Sequence, residues 1–239
     1  MTQNRPTIVL VHGAWHGSWI WDEMPGRLAA AGIATRTVDL PGARRAPGRR
    51  DLAGHSAALR GLVASIEGPV VVCSHSYGGA VASQALDGLP NLSTLIFIAA
   101  FMIGPGRSAA DAAAEAAGLS DQPPLAPTLE GKYLSMPAAA AGLALFADCE
   151  PTQIAAAAAR LTPEHVGAFT APLSAAAWRD VPSTYIVASR DRAISPAAQS
   201  LWAKNAAWRE EIDSDHSPML SHPDELAELV SAAVWRGLT

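Results

Sequence analysis

The chain has 239 residues, of which 49% are hydrophobic and 16% charged, and its net charge is −5. That length fits one α/β domain or a domain with an insertion, and the hydrophobic share suffices for a large core. The negative balance argues against nucleic acid or an anionic membrane as partner. Met1 to Pro6 leads straight into a short strand without the apolar stretch of a signal peptide, and no apolar run is long enough to span a bilayer. Cys73 and Cys149 give neither a disulfide framework nor metal-ligand spacing. The expectation is a cytoplasmic protein without a cofactor; a homodimer is left open.

In chain order, Thr7 to Val11 reads as a buried strand. It runs into the loop His12 to Trp19, where two glycines allow close backbone approach. Trp19 to Ala31 reads as one helix carrying Trp21, Met24 and Leu28, and Ile33 to Leu40 as the next strand. Ala43 to Arg50 is a loop with Arg44, Arg45, Arg49 and Arg50; a solvated loop is favoured over one that attracts an anionic substrate. Leu52 to Ile66 is helical, with Leu59, Leu62, Val63 and Ile66 on one face. Val70-Val71-Val72 is β-branched and apolar, as suits a strand buried on both faces. Ala80 to Leu86 is a helix and Thr94 to Ala100 the fourth strand.

From Gly104 to about Ala177 the chain turns alanine-rich, broken by Pro105, Pro123, Pro124, Pro127, Pro137, Pro151, Pro163 and Pro172. Ala109–Ala117, Ala138–Leu145 and Gln153–Leu161 read as short helices, either a lid over a pocket or packing filler. Their place between two sheet strands favours the lid. Alternation resumes with the strand Ser183 to Ala188, a helix from Pro196 to Asn205, the strand Glu210 to Ile212 and an amphipathic helix from Pro223 to Trp235. The sum predicts an α/β fold: an open, mostly parallel sheet of about six strands with helices on both faces. Residues 1–103 and 178–239 form its core domain, and residues 104–177 a helical cap.

In such sheets functional groups gather beyond the carboxyl ends of the strands. His12-Gly13-Ala14 follows the first strand, Ser76 the third, Asp191 the fifth and His216 the last. Ser76 sits in Ser74-His75-Ser76-Tyr77-Gly78, at a strand-to-helix turn where a serine is a candidate nucleophile. The bland alternative is an N-cap serine. A serine hydroxyl needs a base, and histidine serves near neutral pH. A buried carboxylate fixes the imidazole tautomer. Among seven histidines only His216 lies between the last strand and the last helix. Asp191 is better placed than Asp180, Asp213 or Asp215, its bland reading being a turn residue. His75 flanks Ser76 and is expected to point away from it. The backbone N–H groups of Ala14 and Tyr77 are the candidate oxyanion donors. Trp15, Phe101, Tyr133, Met136, Phe146, Phe169 and Trp178 are candidates for an apolar pocket wall, or plain core.

The stretches Val9 to Trp19, His75-Ser76-Tyr77-Gly78-Gly79, Tyr185 to Pro196 and Asp215 to Leu220 resemble the α/β-hydrolase superfamily. More narrowly they are similar to the plant methylesterase and hydroxynitrile lyase group and its bacterial esterase relatives. The resemblance implies Ser76 as nucleophile, Asp191 as acid, His216 as base, Ala14 and Tyr77 as oxyanion donors, and a helical cap. It departs at Ser74, where glycine is usual, and at Ser217-Pro218. The lyases carry threonine where this chain has Gly13 and lysine where it has Ser217. The expectation is therefore a serine carboxylesterase acting on a small to medium apolar ester. Alternatives are a hydroxynitrile lyase-like enzyme, a lactonase, a tailoring cyclase or thioesterase, and a non-catalytic receptor.

Overall fold

The computed structural model describes residues 6–43, 46–123 and 125–238. Arg44 and Arg45 of the arginine loop and the breaker Pro124 lie outside the described residues. In chain order, β1 (Thr7–Val11) leads through a 3-10 turn (Ser18–Trp21) to α1 (Met24–Ala30), β2 (Ala34–Val38), α2 (Leu52–Ala64), β3 (Val70–His75), α3 (Gly78–Ala85) and β4 (Leu92–Ile98). An insertion comes next: α4 (Ala109–Gly118), β5 (Thr128–Glu130), β6 (Tyr133–Ser135), α5 (Ala138–Ala144), α6 (Pro151–Ala158), β7 (Glu164–His165) and α7 (Val166–Thr170). The core resumes with β8 (Ser183–Ala188), α8 (Pro196–Trp202), β9 (Trp208–Ile212), α9 (Pro218–Ser221) and α10 (Pro223–Arg236).

Six strands form one parallel sheet in the order β2-β1-β3-β4-β8-β9. β3 lies inside it and all six of its residues are buried, which is why its valines need no polar alternation. The outer strands β2 and β9 carry Arg36, Arg209, Glu210 and Glu211, charges that discourage edge-to-edge pairing. Two helix pairs, α1 with α10 and α2 with α3, cover the sheet. Val11 pairs with Ser74 and His75 with Ile98, so the strands end level and the loops beyond them meet above one edge.

Two sequence expectations need correction. The single helix expected from Trp19 to Ala31 is broken before Met24, because Pro25 lacks an N–H and fits only a first helical turn. The insertion is not purely helical: β5, β6 and β7 form a small antiparallel sheet. Strands of two or three residues leave no readable alternation.

Gly78 opens α3 directly against the end of β1. A β-carbon there would stand 2.7 Å from the carbonyl oxygen of His12 and 3.0 Å from that of Val11, and neither backbone atom can yield. Gly78→Val is therefore expected to destabilise the protein by about 3 kcal/mol, read as a lowered denaturant midpoint.

Candidate active site

Ser76 occupies the turn between β3 and α3 with φ of 53°, a left-handed conformation that a non-glycine residue rarely adopts. Its N–H donates to Ile98 (3.2 Å), and its carbonyl accepts the N–H groups of Gly79 and Phe101 (both 3.0 Å). The turn is thus bonded to β4 on one side and to α3 on the other. Gly13 closes over it: a β-carbon there would lie 2.8 Å from Ser76 Cβ. Ser74, where glycine is usual in the resembling motif, is fully buried, and its hydroxyl donates to the Ile96 carbonyl (3.2 Å). The extra hydroxyl is absorbed by the neighbouring strand.

Asp191 and His216, apart by 25 positions, are joined by a bond from His216 Nδ1 to Asp191 Oδ2 of 2.7 Å. Four donors converge on this carboxylate. Ala193 N–H (2.7 Å) and Ile194 N–H (2.9 Å) reach Oδ1, and Gln199 Nε2 (2.7 Å) joins His216 at Oδ2. His216 Nδ1 is thereby the donor, which leaves Nε2 as the free acceptor in the neutral ring. Gln199 also gives its other amide hydrogen to Ile194 O (2.8 Å) and accepts the N–H of Ala188 (3.0 Å), tying the end of β8 to Asp191. Sequence reasoning missed this residue. It sits in the first turn of α8, where Pro196 starts the helix and turns Gln199 back toward the loop.

The remaining histidines separate into roles. His12 bonds the Gly13 carbonyl (2.8 Å) and accepts the Leu40 N–H (3.0 Å), a loop brace. His75 donates from Nε2 to the backbone carbonyl of His216 (2.8 Å), and the two rings stand 4.6 Å apart. Burial, followed by the neighbouring rings of His216 and His16, holds the His75 pKa well below the usual histidine range. His16 is 2% exposed, and burial first, then His216 and His12, lowers it to about 3. His16 and His75 therefore stay neutral. His55 on α2 is lowered by burial to about 4. Its Nε2–H donates to Pro41 O (3.0 Å), so its Nδ1 accepts the Tyr77 hydroxyl (2.9 Å).

Ser76, His216, Ala14 and Tyr77 line one cavity of about 270 Å³. Ala110, Ala113 and Ala117, one face of α4, form part of its wall. Three of the seven expected wall residues, Trp15, Phe101 and Phe169, border it. The other four lie elsewhere. Tyr133 is exposed under Arg50, Met136 is buried off the cavity, Phe146 packs edge-on to His16, and Trp178 bonds Ile103 O (3.0 Å) beneath Arg179. Among the described residues no group of three His, Cys, Asp or Glu side chains is arranged to hold a metal ion, and no helix is long and apolar enough to cross a membrane.

This geometry leads to two measurements. Replacing Gln199 by Leu strips Asp191 of one donor and leaves the buried Ala188 N–H unpaired; the expected loss is about 2 kcal/mol of unfolding free energy. Behind Trp15, burial raises the Glu164 carboxyl to about 7 against the opposing N–H groups of His165 and Trp15 and the charge of Arg50. The folded state then binds more protons than the unfolded one between pH 4.5 and 7, so this group's contribution to stability falls as pH rises through that window. Glu164→Gln removes the slope. The variant should match the wild type near pH 5 and exceed it by about 2 kcal/mol above pH 7, in denaturation series across pH.

The model of the alpha/beta hydrolase family matches residues 8–229. The chain is 29% identical over 254 aligned residues to norfluorocurarine synthase 2 of a Strychnos species, covering 92% of each. It is 28% identical to methylesterase 7 of Arabidopsis thaliana, covering 95% of each. The crystal structure of the methylesterase MES16 from Arabidopsis superposes with a TM-score of 0.77 at 26% identity, over 95% of this chain and 98% of that one. With the strand order, the turn at Ser76 and the paired Asp191 and His216 in place, the chain belongs to the alpha/beta hydrolase family.

Proposed function

We propose that this protein is a serine carboxylesterase that cleaves small to medium apolar esters through an acyl-enzyme on Ser76. The observation that carries the reading is the His216 ring, fixed by Asp191 with its free Nε2 edge, sharing one cavity with a serine held in a strained turn. The methylesterase relatives, matched along nearly the whole chain, support ester chemistry.

In the proposed sequence of steps, Ser76 Oγ attacks the ester carbonyl as its proton passes to His216 Nε2. The Ala14 and Tyr77 N–H groups receive the oxyanion. Asp191 steadies the imidazolium. The C–O bond to the alcohol breaks as His216 returns the proton to it. A water, deprotonated by the same nitrogen, then releases the acid and restores Ser76. Residues 1–103 and 178–239 act as the catalytic core and residues 104–177 as its cap. The alanine face of α4 leaves volume for an acyl or alkoxy chain, which suits an apolar substrate.

The cyanohydrin-cleaving alternative finds less support. A side chain on Gly13 has no room beside Ser76, and Ser217 is fully buried, so a lysine ammonium in its place would be desolvated.

Short-chain p-nitrophenyl esters test the reading. Wild type turns them over, a fluorophosphonate labels Ser76, and Ser76→Ala loses at least about a thousandfold in kcat. Turnover retained in Ser76→Ala overturns the mechanism, and cyanide release from mandelonitrile in place of ester cleavage overturns the reaction class.

A further inference from the structure

The carbonyl of Ser76 and the N–H of Tyr77 belong to one peptide unit, which is planar and trans. Whatever fixes the direction of that carbonyl therefore fixes, on the opposite side, the direction of an expected oxyanion donor. Two N–H groups hold the carbonyl, those of Gly79 and Phe101, each at 3.0 Å. Among the described residues no hydrogen bond takes up the Tyr77 N–H itself, and Tyr77 lines the cavity.

Gly79 lies in the first turn of α3, so its bond comes with the helix. Phe101 lies beyond β4 and needs a holder of its own. Its N–H shares a second peptide unit with the Ala100 carbonyl. That carbonyl accepts the hydroxyl of Tyr185 (2.7 Å), and the same hydroxyl oxygen accepts the Ala100 N–H (3.0 Å). Among the described residues Ala100 makes no other hydrogen bond through these groups. Tyr185 thus grips the peptide on each side of Ala100. One line of bonds results: Tyr185 O–H to the Ala100 carbonyl, Phe101 N–H to the Ser76 carbonyl, and Tyr77 N–H at the end.

The sheet register puts Tyr185 in place. It pairs with Phe97 across β4 and β8, their rings stack with centroids 6.2 Å apart, and both are fully buried. Ala99 has φ of 44°, and its N–H still bonds β8 at Ile186 O (3.1 Å). This left-handed residue turns the chain out of the strand just before Ala100, at the point where the hydroxyl takes hold.

We propose that Tyr185 is a positioning residue: its hydroxyl, acting through the Ala100–Phe101 peptide, sets the angle at which the Tyr77 N–H meets the oxyanion formed on Ser76. This rests on the serine-hydrolase reading above. Bonds aligned head to tail polarise one another, so the line strengthens as negative charge gathers at its end. That charge develops in the transition state and not in the bound ester, so the effect falls on kcat.

The experiment compares the full chain with Tyr185→Phe, Thr94→Val and Ser76→Ala on a short-chain p-nitrophenyl ester. Tyr185→Phe removes the hydroxyl and keeps the stacked ring. Thr94→Val removes a hydroxyl bond near the start of β4, to Pro182 O (2.8 Å), and controls for lost stability. kcat is taken per site titrated with a fluorophosphonate. An alkyl trifluoromethyl ketone reports on the oxyanion: Ser76 Oγ bonds its carbonyl carbon, the proton passes to His216, and the carbonyl oxygen takes the charge. Tyr185→Phe should lower kcat about ten- to a hundredfold with KM within about twofold, and weaken ketone binding by the same factor as kcat/KM. Amide exchange at Phe101, followed by NMR, should quicken. Thr94→Val should keep kcat and ketone affinity within about twofold of wild type. Wild-type kcat in Tyr185→Phe overturns the proposal. So does a lowered kcat with unchanged ketone affinity, or an equal loss in Thr94→Val. If Tyr185→Phe does not fold, the wild type decides. Bound ketone should slow amide exchange at Phe101 as well as at Tyr77, and slowing at Tyr77 alone overturns the proposal. Equal ester turnover by wild type and Ser76→Ala instead fails the hydrolase reading, and exchange at Phe101 then still decides whether Tyr185 holds the segment bonded to Ser76.

Discussion

The left-handed backbone of Ser76 is the constraint around which the other parts are arranged. Such a conformation costs on the order of 1–3 kcal/mol in a residue with a β-carbon. It persists because β3 is locked on both sides by parallel neighbours and because the turn's own N–H and carbonyl are bonded to Ile98, Gly79 and Phe101. The tight turn in turn explains its glycine neighbours. At Gly13 and Gly78 a β-carbon would collide with Ser76 and with the end of β1, respectively. A serine placed this way lifts its hydroxyl out of the sheet layer and into the cavity.

Charge is handled with the same economy. His16, His75 and His216 pack within one cluster of rings, and burial together with mutual repulsion keeps the first two neutral. The Asp191 carboxylate is held by four donors, three of which do not depend on His216. Its position is therefore fixed before the imidazole is considered. That is the condition for a carboxylate to dictate a ring's tautomer, since a mobile partner would adapt to the ring instead.

The sheet and the three polar strand ends were legible in the sequence for a simple reason. Val70 to Val72 and Tyr185 to Val187 are short runs of β-branched and aromatic residues that suit buried strands, and parallel strands bring their succeeding loops to one edge. The supporting residues were hidden because their roles arise from folding back across long separations. Gln199 reads as an ordinary polar residue of a helix, and nothing local says that Asp191 lies in front of it. Glu164 reads as a loop acid after Pro163, and nothing local says that it is buried beside His55. The aromatics misled in the opposite sense. Tyr133, Phe146 and Trp178 looked like wall material by type, whereas alanines on α4 line the cavity because small side chains leave it open.

The insertion does more than cover the cavity, because it holds the loops on both sides of it. At the His216 loop, the Asp148 N–H donates to the Asp215 carboxylate (3.0 Å) and the Asp215 N–H returns the bond to Asp148 (2.8 Å), while Arg190 pairs with Asp148 (2.7 Å). At the Ala14 loop, the Thr162 N–H donates to the Trp15 carbonyl (2.8 Å) and the Leu134 carbonyl accepts the Trp15 indole N–H (2.8 Å). One loop belongs to the start of the chain and the other to its end, and the segment that fixes both lies between them in sequence. The sheet alone brings the strand ends together to within a few residues; the directions in which the loops leave those ends are set by bonds to the insertion. Sequence changes in residues 104–177 can thus alter the geometry around Ser76 without touching a residue of the core, and that couples the insertion to the site's geometry.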